Sequence, residues 1–531
     1  MISANKKLQH ALNQKEPDYA AFEQRLEKLR ICSGNLALLC LTTENPAEDV
    51  ETRLWNAHVQ VNGAFKTWLR IYREGDRRKH VERRKAAKLY VDFTKSSQRF
   101  YRAYIGRLVA NFTNIPKVVE VAEKLGQVGL TAQVQKPASD EQRKTLESSC
   151  RLCVIRLGDL SRWRETEAPA KQDERNWGPA KGYYQLALSM DPAEGICYNQ
   201  LAVIARNDND HLGTVYYLHR ATAVIKPFPS AADNIKVEFD KLITIRKENS
   251  LGIVDRSRDD DVTVLEKRFL AFHAHCYARP YDFVAFQQKA KDILDMIATC
   301  YEESTPGLDH FLQRACLVNI AAEALAQQGM TKQVLLKKLN EAKLARETER
   351  NCQSFFLLQR FNLMTFRALL RVLARELGDP PAVGQDLSDL SRLSKVVRRV
   401  LPHLRQYSSW FLSHTRELVE TKFKSSRKFL EEVAGTYAST LNLLRSHIDV
   451  FAPAQVTYLL EEDERTISFS PFSAQVTEWR YYQADKVTLK PISVDLGHGK
   501  EMSVELAETH LRAIDLVVDA LRLVKHQVSG R

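Results

Sequence analysis

Two stretches of this chain repeat one another at a spacing of thirty-four residues, and both read as the second helix of a helical hairpin. In the first, Ala180, Tyr184, Ala187 and Pro192 supply a small residue, an aromatic, a second small residue and a helix stop. One period later Ala187 lands on Ala221, Tyr183 on Tyr217 and Ala180 on Thr214. The preceding helices carry Leu157-Gly158 and Leu201-Ala202, small residues where two helices cross closely. These two pairs lie 44 residues apart, so the excess sits in the first hairpin's loop, Glu165 to Asn176. A hairpin of this kind cannot bury its apolar face alone; it must stack on neighbours, so the chain is expected to be an array of packed helices.

The spacing is that of a tetratricopeptide unit, and the rest of the sequence agrees with it. Apolar residues recur at three and four along most of the chain. Helices are expected over 23–41, 54–72, 88–111 and 144–163, then in the two hairpins up to Lys226-Pro-Phe-Pro229, then over 230–246. Residues 248–262, with Gly252 and Asp259-Asp-Asp261, read as a connector. Further helices are expected over 263–275, 283–301, 307–328, 331–347, 354–377, 389–414, 415–451 and 503–526, with 461–494 extended or irregular. The expected class is all-α, with an N-terminal domain over 1–250 and a C-terminal domain of helical hairpins over 251–531.

A chain of 531 residues exceeds one ordinary core. No window holds the roughly 18 uncharged apolar residues of a membrane span, and the start has no apolar secretion signal. A nuclear or cytoplasmic address and no membrane partner are therefore expected. Nine scattered cysteines suit reduced core thiols. The net charge of +12 is concentrated between Lys66 and Arg107, which carries Arg70, Arg73, Arg77, Arg78, Lys79, Arg83, Arg84, Lys85, Lys88, Lys95, Arg99 and Arg102 besides. Such a stretch draws phosphates, on protein or on nucleic acid; a solvated helix face is the alternative.

Four ordered segments resemble the Est/Smg family, the telomerase-associated Est proteins and the Smg factors of nonsense-mediated mRNA decay. They are residues 151–164 around Leu157-Gly-Asp-Leu-Ser-Arg-Trp-Arg164, 180–188, 197–205 around Tyr198-Asn-Gln-Leu-Ala202, and 210–231. A weaker likeness continues through 401–412 and 458–464. The resemblance implies a 14-3-3-like, tetratricopeptide-type N-terminal domain on a C-terminal domain of helical hairpins, and a phosphoserine pocket. In 14-3-3 proteins that pocket takes a Lys and an Arg seven residues apart on one helix and an Arg from a second helix. Lys66, Arg73 and Arg162 match those positions. Seven residues is nearly two helical turns, so Lys66 and Arg73 share a face, with Arg70 between them. Asn199 resembles the asparagine that holds the peptide backbone, and Trp163 stands where the 14-3-3 pattern has a tyrosine whose hydroxyl reaches phosphate.

A phosphoserine dianion offers three acceptor oxygens; two guanidinium forks and a lysine ammonium match it. The aromatics Tyr183, Tyr184, Tyr216 and Tyr217 occupy repeat-packing positions and are expected in the core. Cys150-x-x-Cys153 lacks a second ligand pair at zinc spacing, and His273 and His275 are expected to pack, so neither a metal nor a cofactor is expected. No Gly-rich phosphate loop, His-Glu-x-x-His or Gly-x-Ser-x-Gly occurs. The family's nuclease activity belongs to a further C-terminal domain for which this sequence leaves no room, so no enzyme is expected.

Three functions follow from the resemblance. The first is an adaptor in mRNA decay that binds phosphorylated motifs of the up-frameshift RNA helicase and contacts a paralogue or decay factors through its C-terminal hairpins. The second is a telomerase accessory protein that binds telomerase RNA or single-stranded telomeric DNA. The third is a scaffold whose pocket is inactive. The pocket pattern favours the first.

Overall fold

The computed structural model describes residues 2–12, 19–74, 80–127, 129, 135–167, 175–247, 260–278, 283–335, 341–381, 387, 390–420, 424–450, 456–473, 493–495 and 501–529. Among these there are 18 α-helices and only four strands of two or three residues, so the class is all-α. The chain forms two compact units, 1–192 and 193–531. The division falls between the two repeat hairpins. The connector expected near residue 250 lies largely outside the described residues.

The first unit contains α1 (Ile2–Leu12), α2 (Tyr19–Thr42), α3 (Glu48–Glu74), α4 (His80–Asn111), α5 (Pro116–Lys124), α6 (Asp140–Glu167) and α7 (Gly178–Met190). Phe112–Thr113 (β1) pairs in parallel with Lys136–Pro137 (β2) between α4 and α6. Acids open α3 at Glu48, Asp49 and Glu51, where the exposed amide groups of a helix start favour negative charge. Proline opens α5, where its missing N–H costs nothing. Aromatics fill the core: Trp55 stacks on Trp163 with centroids 5.0 Å apart, and Phe65 on Phe93 at 5.7 Å. The fully buried Arg30 is satisfied by Glu23 at 3.0 Å, Glu27 at 3.1 Å, Ser97 at 2.7 Å and His58 Nε2 at 3.3 Å.

The crossing of α6 on α7 is the first repeat hairpin. A Cβ at Gly158 would stand 2.6 Å from Cε1 of Tyr184, so only glycine permits the approach. Ala180, Tyr184 and Ala187 are all fully buried, as the repeat spacing requires. α6 runs four residues further than the expected end at Trp163, to Glu167 and so into its loop.

The second unit begins with the second hairpin, α8 (Ile196–Asn207) and α9 (His211–Thr222), in which Asp210 caps α9 by accepting from Gly213 N at 2.6 Å. α10 (Ala231–Lys247), α11 (Asp261–Ala278), α12 (Phe283–Glu302), α13 (Leu308–Leu335), α14 (Glu341–Leu377), α15 (Lys395–Val419), α16 (Lys424–His447), α17 (Glu461–Thr466) and α18 (Val504–Ser529) follow. Ser493–Asp495 (β3) and Glu501–Ser503 (β4) form an antiparallel ladder before α18. The helix expected over 331–347 does not exist as such. α13 continues past Gly329 to Leu335 and α14 starts at Glu341, because a single glycine costs about 1 kcal/mol and does not stop a long packed helix. Likewise α15 starts only at Lys395, where Ser394 caps it by accepting from Val397 N at 3.2 Å.

Arg405, fully buried on α15, donates to Asp515 of α18 at 2.6 Å and to Asp463 and Glu462 of α17 at 2.7 and 3.3 Å. Arg512 grips Glu462 bidentately at 2.8 and 3.0 Å. This buried ionic cluster ties the C-terminal helix to the middle of the unit. No helix among the described residues is long and apolar enough to cross a membrane.

Candidate phosphate-binding site

In the first unit α3 carries Lys66 and α6 carries Arg162. The Arg162 side chain is 14% exposed. Its Nη2 donates to Asp159 Oδ1 at 3.1 Å and its Nε to the Tyr184 hydroxyl at 3.3 Å. The Tyr184 hydroxyl in turn donates to the same Asp159 oxygen at 2.7 Å. These three bonds close a triangle that fixes the plane of the guanidinium. Nη1 makes no bond to any described residue. Burial works against the charge on Arg162, but Tyr184 and Asp159 outweigh it, and the group is held more basic than an ordinary arginine. It is a permanently charged, oriented fork with one edge anchored and the other available.

Lys66, 40% exposed, sits 3.7 Å from Glu167 at the end of α6. Tyr90 of α4 senses both Glu167 and Arg162: it donates to Asn62 Oδ1 at 2.7 Å, and its hydroxyl is held far above the usual range by burial first and by Glu167 next, with Arg162 opposing. Arg70, one turn from Lys66, is exposed. Arg73 lies in the last turn of α3, and its side chain is outside the described residues.

Asn199 belongs to the second unit, on α8, where it is buried and its Oδ1 accepts from Asn234 of α10 at 2.9 Å. Trp163 turns into the core against Trp55 and takes no part in the cluster. The hydroxyl that position lacks is supplied by Tyr184, a residue the sequence places only in repeat packing. It is both core ring and polar handle: the ring fills the helix crossing, and the hydroxyl reaches Asp159 and Arg162. The signal for it was the shared hairpin, since a Tyr at the crossing of α7 must face the Gly158-Asp159 turn of α6.

A second basic feature lies on α4. Arg84, Lys88, Lys95 and Arg99 are exposed, carry no ion pair with a described residue, and recur so that they share one helix face over about 22 Å. Arg102, further along the helix, is instead turned onto the Tyr183 hydroxyl. Arg77, Arg78 and Lys79 lie outside the described residues.

Cys150 and Cys153 are buried free thiols, and burial pushes Cys150 up to about 12. Cys150 has the carboxylates of Glu147 and Glu51 nearby, and although Arg156 lies beside Cys153, burial and Glu51 outweigh it and hold that thiol up as well, the reverse of a reactive cysteine. Among the described residues no group of three or more His, Cys, Asp or Glu could hold a metal.

Known proteins resemble this chain along most of its length. Residues 49–168, which contain Lys66, Arg73 and Arg162, match the family Telomerase activating protein Est1. Residues 180–475 match the family Est1 DNA/RNA binding domain, more than half of the chain. Nonsense-mediated mRNA decay factor SMG7 of Danio rerio is 29% identical over 188 residues, 35% of this chain and 14% of that protein. Nonsense-mediated mRNA decay factor SMG7 of Arabidopsis thaliana is 42% identical over 101 residues, 19% of this chain and 9% of that protein. Telomere elongation protein est1 of Schizosaccharomyces pombe is 22% identical over 268 residues, 49% of this chain and 47% of that protein. The matches thus span less than half of each relative's length. A chain in the crystal structure of Est1 and Cdc13 superposes with a TM-score of 0.70 at 13% identity, covering 99% of this chain and 95% of that one, which shows a shared fold. With both family matches in chain order and the fold in common, this chain belongs to the Est/Smg family.

Proposed function

We propose that this chain is a non-enzymatic adaptor of nonsense-mediated mRNA decay that reads phosphoserine or phosphothreonine through Arg162 and Lys66, with Arg73 as third cation. The observation that carries the reading is the state of Arg162: largely buried, its plane fixed by Asp159 and Tyr184, its Nη1 without a partner among the described residues. A structural arginine would spend its donors on the fold; this one is oriented and left partly unspent. Two relatives whose names place them in mRNA decay support the pathway. The phosphorylated partner in this reading is the up-frameshift RNA helicase, and the helical hairpins of the second unit would contact decay factors or a paralogue, in nucleus and cytoplasm.

Charge-assisted hydrogen bonds contribute about 1.5–3 kcal/mol each, so Arg162→Gln should weaken phosphopeptide binding roughly ten- to a hundredfold. Isothermal titration with a phosphorylated Ser-Gln peptide measures this; unchanged affinity in the variant sinks the reading.

The exposed stripe Arg84, Lys88, Lys95 and Arg99 favours a second reading, a telomerase accessory protein that binds RNA or single-stranded DNA. Four backbone contacts to a single strand give a salt slope near −2.8, so affinity would fall about fiftyfold between 50 and 200 mM salt. A pocket for one phosphate loses far less, and substituting Lys88 and Lys95 by Glu separates the two.

A further inference from the structure

The second unit holds a cavity of about 170 Å³ lined by α9, α10, α11, α13 and α14. Its walls are mostly apolar, with Ile235, Phe239, Leu325 and Leu358 among them, and two imidazoles, His219 and His273, face into the same lining. The hydrogen bonds of each ring fix its tautomer. His219 Nδ1 lies 2.8 Å from the Val215 carbonyl oxygen, which can only accept, so Nδ1 carries the proton and Nε2 is left with an accepting lone pair. His273 Nε2 lies 2.7 Å from Asn319 Oδ1, while the Asn319 amide donates to the Tyr407 hydroxyl at 2.9 Å. Nε2 therefore carries the proton on His273, and its Nδ1 is the acceptor. Neither acceptor has a hydrogen-bond partner among the described residues, although both side chains are 2% exposed. Burial holds His219 down to about 4 and His273 to about 3, so both rings are neutral at physiological pH and remain acceptors.

Two unsatisfied acceptors inside an apolar wall are costly unless something donates to them. A metal ion needs more than two imidazoles, and no cluster of three or more ligating side chains exists among the described residues. An anion is repelled by lone pairs. The size fits one aromatic ring, since an apolar cavity of about 150 Å³ is known to take up benzene. Apolar walls with a few convergent polar groups are the general form of a small-ligand site.

We propose that this cavity is a binding site for a single aromatic ring that carries a hydrogen-bond donor, a phenol or an indole, which donates to His219 Nε2 or His273 Nδ1. Free aromatic compounds and the Tyr or Trp side chain of a partner offer the same chemistry, and the test separates them.

The full chain is titrated with p-cresol, indole and toluene by ligand-observed NMR, alongside the capped amides N-acetyl-tyrosinamide and N-acetyl-tryptophanamide. p-Cresol or indole should bind about three- to tenfold tighter than toluene, the worth of one neutral hydrogen bond. His219→Phe, which keeps the ring and removes the acceptor, should reduce that preference. Ala326→Leu, which narrows the cavity, should abolish binding of all three and serves if His219→Phe fails to fold. Binding of the capped amides as well assigns the site to a partner side chain; binding of the free rings alone assigns it to a small molecule. Equal affinity for p-cresol and toluene, or no binding by any ring, overturns the proposal.

Discussion

Replacing Gly158 by alanine would put a methyl carbon 2.6 Å from Cε1 and 2.8 Å from Cδ1 of Tyr184. Ordinary carbon contacts begin near 3.5 Å, so the ring must retreat by about 1 Å. It has no free space to retreat into, because Tyr184 is fully buried. Overpacking of this kind costs about 1–3 kcal/mol. Moving the ring also draws the hydroxyl away from Asp159, a charge-assisted bond worth about 1.5–3 kcal/mol at most. Exchanging glycine for alanine inside a helix returns about 1 kcal/mol. With that bond lost the balance is a net loss of roughly 1.5–5 kcal/mol, a fall of about 3–20 °C in the melting of a unit this size. Gly182→Ala is the matched control: it lies on α7, two residues from Tyr184, with nothing within 4 Å of the added carbon. It should raise the melting temperature by a few degrees. Differential scanning calorimetry of both variants decides the matter. A Gly158→Ala protein that melts with or above wild type refutes the close crossing and the placement of Tyr184 against Arg162.

Three further outcomes are expected. Arg405→Met leaves Asp515, Asp463 and Glu462 with too little positive charge and should cost about 3–5 kcal/mol in chemical denaturation at pH 7; a loss under 1 kcal/mol contradicts the buried cluster. Glu323 is fully buried and raised by that burial to about 8, so its unfolded form releases a proton above pH 4.5 that the folded form keeps. Stability must then fall as pH rises from about 4.5 to 8, and Glu323→Gln should remove up to about 3 kcal/mol of that fall at pH 7 while being near neutral at pH 4.5; thermal melts at the two pH values test it. His219 and His403 are both depressed by burial to about 4, so they lend stability that is complete above pH 6.5 and lost as pH drops towards 4; ring-proton NMR should show both still neutral at pH 5.5, and midpoints near 6.5 would contradict their burial.

How much of this was legible in the sequence depends on how local each signal is. The 3–4 spacing of apolar residues located most helices, and the thirty-four-residue register set Ala180, Ala187 and Ala221 in the core. The small residue Gly158 announced a close crossing. Arg162 and Lys66 were readable from family pattern, and the structure brings both into the first unit. The pairing of Lys66 with Glu167 was not readable, since it joins residues a hundred positions apart through the packing of α3 and α6. The Tyr184 hydroxyl was hidden because its ring satisfied the repeat pattern. α5 escaped because nine residues behind a proline are too short for periodicity to register. The Arg405 cluster escaped for a different reason: its carboxylates come from α17, inside a stretch of weak periodicity, and from the distant α18.

The decisive measurement is fluorescence anisotropy of paired phosphorylated and unphosphorylated Ser-Gln peptides, with wild type and Arg162→Glu, at 50 and 200 mM salt. Binding that requires both the phosphate and Arg162, and that survives the higher salt, is what the oriented guanidinium predicts. Equal binding of the two peptides, or a variant that binds as wild type does, contradicts a phosphate-reading site at Arg162.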